Sequence, residues 1–180
     1  MSFWIFAISF RSKKILILEK GGDIVSLEEN KAIVRRLWEA ENERNLALLD
    51  ELMAPDYVDN VFQFTGLEEY KQMQTMFTDA FPDLHETIED IVAEGDKVCV
   101  HFKVTGTYTG EYRGFLLPSG KRITLAPTGK KLTIAGSLIF RMVDGRIAEK
   151  TSAVYDWMDF YKQLGIIEYT EKGKKIFPDS

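Results

Sequence analysis

The chain has 180 residues, 45% of them hydrophobic and 28% charged, with a formal net charge of −5. This is enough for one domain with a substantial core and too little for two comfortable ones, and the mixed signs give no basic stripe interleaved with aromatics of the kind that binds nucleic acid. The one cysteine, Cys99, lies inside the apolar run Val98 to Val104, and the two histidines, His85 and His101, lie in separate segments. They rule out a disulfide framework within the chain and give no ligand spacing for a metal, leaving only carboxylates to hold one.

Residues 1–25 differ from the rest. Phe3 to Phe10 is an apolar run too short to span a bilayer, and its positive charges, Arg11, Lys13 and Lys14, follow it instead of preceding it, so neither a membrane span nor an export signal is read and a cytoplasmic location is expected. Lys20-Gly21-Gly22-Asp23 can be encoded by a bacterial ribosome-binding sequence, with Val25 at a suitable distance for a start codon. Two readings follow: a translated leader, or a real hairpin arm of Phe3 to Phe10 and Ile15 to Leu18. A native N-terminal peptide containing Trp4 would decide for the arm.

Ser26 and Glu29 make a capping box, and Ile33, Val34, Leu37 and Trp38 give the stripe of a first helix starting near Leu27. A shorter helix is expected from about Leu46 to Met53, stopped by Pro55, with an irregular or extended piece over Asp56–Asn60. Thr65 and Glu68 repeat the capping pattern ahead of Tyr70, Met73, Met76, Phe77, Ala80 and Phe81, a third helix ended by Pro82. Three helices thus precede any long strand. The period then changes to two: Leu84 to Val92, Lys97 to Thr105 and Thr107 to Arg113 read as strands, with a tight turn at Glu94-Gly95-Asp96. Pro118 to Thr124 is echoed by Pro127 to Thr133, a local duplication that lengthens one loop. Leu132 to Met142 and Arg146 to Tyr155 pair across the Asp144-Gly145 turn, and Trp157, Phe160, Tyr161 and Leu164 form a last helix closing on Gly165. Helices first and strands afterwards predict an α+β fold, a curved antiparallel sheet wrapped over three N-terminal helices, with a short C-terminal helix. The domain is expected over residues 26–167, with a charged tail over 168–180.

Several phrases together resemble the SnoaL-like polyketide (ester) cyclases of the nuclear-transport-factor-like superfamily. They are Glu29-Asn30-Lys31, Val34-Arg35-Arg36, Pro55-Asp56-Tyr57-Val58-Asp59, Phe81-Pro82-Asp83-Leu84-His85, Ile88-Glu89-Asp90, Ala93 to Val98, Gly106-Thr107, Pro127 to Lys130, Asp144 to Ile147 and Gln163-Leu164-Gly165. The resemblance spans about residues 27–167 and implies a cone-shaped α+β barrel, a pocket between sheet and helices, and commonly a homodimer formed through the sheet. It further implies an intramolecular aldol closure without metal or cofactor, driven by an Asp shortly before the terminal Q-L-G. By position that residue is Asp156. The chain departs from the family's pattern in carrying Tyr108 and Asn60 where histidines are frequent, and in a strand before Asp156 that is one residue longer than the family's usual Gly-to-Asp spacing, which requires a bulge to restore the side-chain direction.

Two readings stand for Asp156: a general acid/base whose proton affinity is raised if rings keep water away, or the N-cap of the last helix. Tyr108 is the candidate phenol donor to an enolate oxygen, and Asn60 a polar positioner. For Tyr57, Phe77, Phe81 and Trp157 the choice is between pocket lining and core packing. His101 is a substrate contact or faces the outer side of the sheet. The expected partner is a small apolar carbonyl compound. Isomerisation, dehydration or hydrolysis in the same pocket, and non-catalytic carriage of an apolar ligand, are the alternatives to cyclisation.

Overall fold

A computed structural model describes residues 26–116, 122–168 and 170, so the N-terminal segment, the middle of the duplicated stretch and most of the tail lie outside the described residues. Helix α1 spans Leu27–Asn42 and opens on the expected capping box, with Ser26 Oγ accepting from the Glu29 amide and the Glu29 carboxylate accepting from the Ser26 amide. Val34, Leu37 and Trp38 are buried on its inner face. Helix α2 is only Leu49–Leu52, and the chain passes straight from it into strand β1, Met53–Asp59. A seven-residue strand therefore precedes the third helix, contrary to the expectation of three helices first. Pro55 is tolerated because the flanking strand β2, Phe64–Thr65, pairs only with Val58 and Asp59, leaving the outer edge at Pro55 without a ladder.

Helix α3 spans Leu67–Ala80, and the Thr65–Glu68 capping box does not form. Thr65 is committed to β2, so the helix starts instead at Gly66, whose φ of 108° suits glycine. Strands β3, His85–Glu94, and β4, Lys97–Thr107, form the expected hairpin. The next strand does not start at Thr107. The amides of Thr109 and Gly110 donate to Ala80 O, drawing the chain off the sheet against the end of α3, and a Cβ on Gly110 would lie 1.8 Å from Asp79 O. Strands β5, Tyr112–Leu116, and β6, Arg122–Leu125, then pair in a separate two-stranded ribbon. Strands β7, Lys131–Val143, and β8, Arg146–Tyr155, form the second long hairpin, and helix α4, Trp157–Gln163, follows.

The main sheet runs β2-β1-β8-β7-β4-β3, antiparallel except where β1 lies parallel to β8. This is the expected α+β architecture. Trp38 of α1 meets Phe102 of β4 and Phe140 of β7 edge to face, at 5.9 and 6.0 Å between ring centroids, which fixes α1 across the concave side of the sheet. A second cluster of Ala80, Phe81, Tyr108, Leu132, Phe160 and Leu164 closes the other end.

Candidate active site

Between the helices and the sheet lies a cavity of about 110 Å³. Its walls are mostly rings and aliphatic chains: Phe77 from α3 and Phe81 just beyond it, Phe102 and Val104 from β4, Leu132, Ile134, Leu138 and Phe140 from β7, and Phe160 from α4. Gly136 keeps this wall open to aromatics, since a Cβ there would lie 3.0 Å from both Phe102 and Tyr155, whose rings meet edge to face at 5.8 Å.

The polar lining comes from Glu41 of α1, Tyr70 and Gln74 of α3, Glu86 of β3, and Lys150 and Tyr155 of β8. Glu41 accepts hydrogen bonds from the Tyr70 hydroxyl and from Gln74 Nε2. Burial pushes its carboxyl up to about 7, against the opposing pull of these two donors and of the Lys150 charge. Glu86 is pushed up to about 8 by burial and by the Glu41 charge, again opposed by Lys150. No hydrogen-bond donor among the described residues reaches the Glu86 carboxyl. The two residues are brought together by Asn42, which follows Glu41. Its Nδ2 donates to Glu86 O and its Oδ1 accepts from Glu86 N, both at 2.8 Å. The hydroxyls of Tyr70 and Tyr155 are held far above the ordinary phenol range by burial and by the neighbouring carboxylates.

Lys150 reaches the cavity because of irregularities in β8. Its pairing with β7 skips Ala148 and again Thr151, a bulge on each side of the Glu149–Lys150 pair. The first bulge turns Glu149 outward to Arg141, at 2.6 Å, and Lys150 inward. The second restores the original alternation. Inside, Lys150 Nζ lies 2.7 Å from Asp59 Oδ2, its register partner on β1. Asp59 is completely buried, with Oδ1 accepting from the Val61 and Phe62 amides at 2.9 and 2.8 Å and Oδ2 within 3.4 Å of the Tyr57 hydroxyl.

The same counting decides where Asp156 points. One bulge would have turned it inward; two cancel, so Tyr155 faces the cavity and Asp156 is exposed. Asp156 Oδ1 accepts from the Asp159 amide at 2.9 Å, which is the N-cap arrangement, and Asp156 does not line the cavity. Of the other expected site residues, Phe77 and Phe81 line the cavity. Tyr108 is buried in the second cluster, stacked on Phe81 at 5.2 Å, and spends its hydroxyl on Leu125 O at 2.7 Å. Tyr57 is buried behind Asp59. Asn60 is exposed and bonded to Glu149. His101 is on the outer face, against Ser137 at 3.0 Å and Glu89 at 3.3 Å. The side chain of Trp157 lies outside the described residues. Glu41, Glu86 and Lys150 are not among the site residues expected from the sequence. The available signal was a Lys in a strand otherwise rich in inward apolar positions, and a Glu on the buried side of a helix.

A helix-covered curved sheet enclosing a mainly apolar cavity with ionisable groups in its lining defines a pocketed α+β barrel. The chain belongs to the SnoaL-like polyketide cyclase family, whose model matches residues 31–164. Among solved structures it is similar to TsrD from Streptomyces laurentii (22% identity, TM-score 0.67, covering 80% of this chain and 100% of that one). It is also similar to a SnoaL-like polyketide cyclase from Agrobacterium tumefaciens (18%, TM-score 0.60, 76% and 98%) and to IdmH from Streptomyces antibioticus (26%, TM-score 0.58, 76% and 98%). No curated protein matches the chain significantly. Among the described residues there is no group of three or more His, Cys, Asp or Glu placed to hold a metal, and no helix long and apolar enough to cross a membrane.

Proposed function

We propose that this protein is a cyclase-type enzyme acting on a small, largely apolar carbonyl compound, with the Glu41–Glu86 pair carrying the proton expected of Asp156. The observation that supports this reading is the meeting of two poorly solvated carboxyl groups in one apolar cavity. Both carboxyls are raised and the charge on Glu41 opposes ionisation of Glu86, so the pair keeps a proton near neutral pH and offers one base and one acid.

Glu41, whose charged form the Tyr70 and Gln74 donors favour, takes a proton from the carbon between two carbonyls, and the C–H electron pair passes into the enolate. The enolate carbon attacks a further carbonyl carbon of the same folded chain, beyond the two that flank it, forming the ring bond. Glu86 gives its proton to the alkoxide so formed. Proton transfer from Glu41 to Glu86 restores the starting state, so the ring closure consumes no net proton and calls on no group outside the chain. The aromatic walls supply the folding of the guest that makes the attack intramolecular.

The test is hydrogen–deuterium exchange at the central carbon of an alkyl-substituted 1,3-dicarbonyl compound, followed by NMR. Wild type accelerates exchange over buffer, Glu41→Gln lowers the rate about 10²–10⁴-fold, and Asp156→Asn leaves it unchanged. Loss of exchange in Asp156→Asn with retention in Glu41→Gln returns the role to Asp156. Binding of the compound without accelerated exchange in wild type makes the protein a carrier.

A further inference from the structure

We infer that Lys150 is the oxyanion contact of the cavity, donating from its ammonium to the oxygen on which a bound carbon acid develops negative charge. This deepens the acid–base reading above and rests on it for the nature of the guest, which it narrows to carbonyl compounds ionising to an oxygen anion.

Four observations converge on Lys150. It is 4% exposed overall and yet lines the cavity. Its only hydrogen-bond acceptor among the described residues is Asp59 Oδ2 at 2.7 Å, while an ammonium carries three donors. The rings of Phe62 and Tyr70 flank it, with centroids 5.2 and 5.7 Å from Nζ, and satisfy charge without accepting a full hydrogen bond. Finally, bulges on both sides of the Glu149–Lys150 pair serve to bring this one cation inside. Asp59 anchors the ammonium, and its oxygens are already engaged by Val61, Phe62 and Tyr57, so the remaining donors are left for a guest. An ammonium fixed in this way needs no reorganisation when charge appears on the substrate oxygen.

The probe is para-nitrophenol, whose phenolate is distinguished from the phenol by visible absorbance. The titratable groups around Lys150 are Asp59 and Tyr57 from β1, Glu41 from α1, Tyr70 from α3, Glu86 from β3 and Tyr155 from its own strand. The titration is therefore run on both sides of neutrality, with Glu41 and Glu86 first protonated and then ionised. Wild type is expected to prefer phenolate to phenol about tenfold or more where these two groups are protonated. The double variant Asp59→Asn/Lys150→Met, which leaves no buried lone charge, is expected to lose that preference while still binding phenol, and Lys150→Arg to retain part of it. Binding of phenol without preference in wild type, no binding at all, or an unchanged preference in the double variant each overturns the assignment, and the wild-type titration decides if the variants do not fold. Phenolate preference without carbon–hydrogen exchange leaves Lys150 in place and removes the acid–base reading; exchange without preference does the reverse.

Discussion

Glu149 and Lys150 are adjacent in sequence and end on opposite sides of the sheet, one paired with Arg141 outside, the other with Asp59 inside. Removing one member of a buried pair leaves the other charge without compensation, which typically costs about 3–5 kcal/mol, whereas replacing both by neutral groups of similar volume is often tolerated. Lys150→Met alone is accordingly expected to be far less stable to urea than Asp59→Asn/Lys150→Met; equal midpoints would mean the pair is not buried as described. Asp156 belongs to a different account. As N-cap of α4 its replacement by Ala is expected to cost about 0.5–2 kcal/mol, without affecting exchange chemistry in the cavity. Phe77 and Phe81 were legible in the sequence because a helical stripe announces its inner face. Lys150 was not, since a bulge has no residue signature and two of them were needed to determine which side each residue of β8 faces.

At the level of elements, two side-chain amides act as short surrogate strands. Asn42 pairs with both backbone groups of Glu86 on β3, the last strand of the sheet. Gln163 does the same to Thr133 of β7, its Oε1 accepting from the amide at 2.7 Å and its Nε2 donating to the carbonyl at 2.8 Å, which locks α4 over the end of the cavity. Each binds a helix to the edge of a strand that β4 pairs on the other side. Asn42→Ala removes two such bonds and is expected to cost about 1–3 kcal/mol, from net values near 1 kcal/mol apiece, read as a lower urea midpoint at unchanged slope. No loss of stability would show that the amide pairing is incidental. The elements whose ends are decided locally were the legible ones: the Ser26–Glu29 box and the Asp144-Gly145 hairpin form as read. Thr65 misled because strand pairing with Val58 outcompeted its capping potential, and the extended piece after Pro55 was not recognised as a strand because its main partner, β8, lies some ninety residues away in the chain.

For the whole molecule, the buried carboxyls set an unusual dependence of stability on pH. Glu41 and Glu86 rise from an ordinary value of 4.5 to about 7 and about 8 on folding, so through that interval the folded protein holds protons that the unfolded chain has released. Stability therefore falls as pH rises from the ordinary carboxylate range through the folded values. Asp83, lowered by hydrogen bonds from the side chain and amide of Thr107, and Glu149, lowered chiefly by Arg141, act with the opposite sign. Their stabilisation is present above the ordinary range and is lost as pH falls through their depressed values. The surface groups complete their gain within the ordinary carboxylate range, where the penalty from Glu41 and Glu86 starts to build, so above that range only the falling arm remains and maximal stability lies on the acidic side of neutrality. Displacements of this size correspond to a few kcal/mol, enough to move the Tm of a chain of this length by several degrees. Thermal unfolding followed from about pH 5.5 to about pH 8.5 is expected to show a falling Tm in wild type. Glu41→Gln and Glu86→Gln, which remove the buried ionisation, are expected to flatten that slope. A Tm that instead climbs over this interval, or a slope untouched by either substitution, would mean the two carboxyls are solvated, and the separation of acid from base within the cavity would have no physical origin.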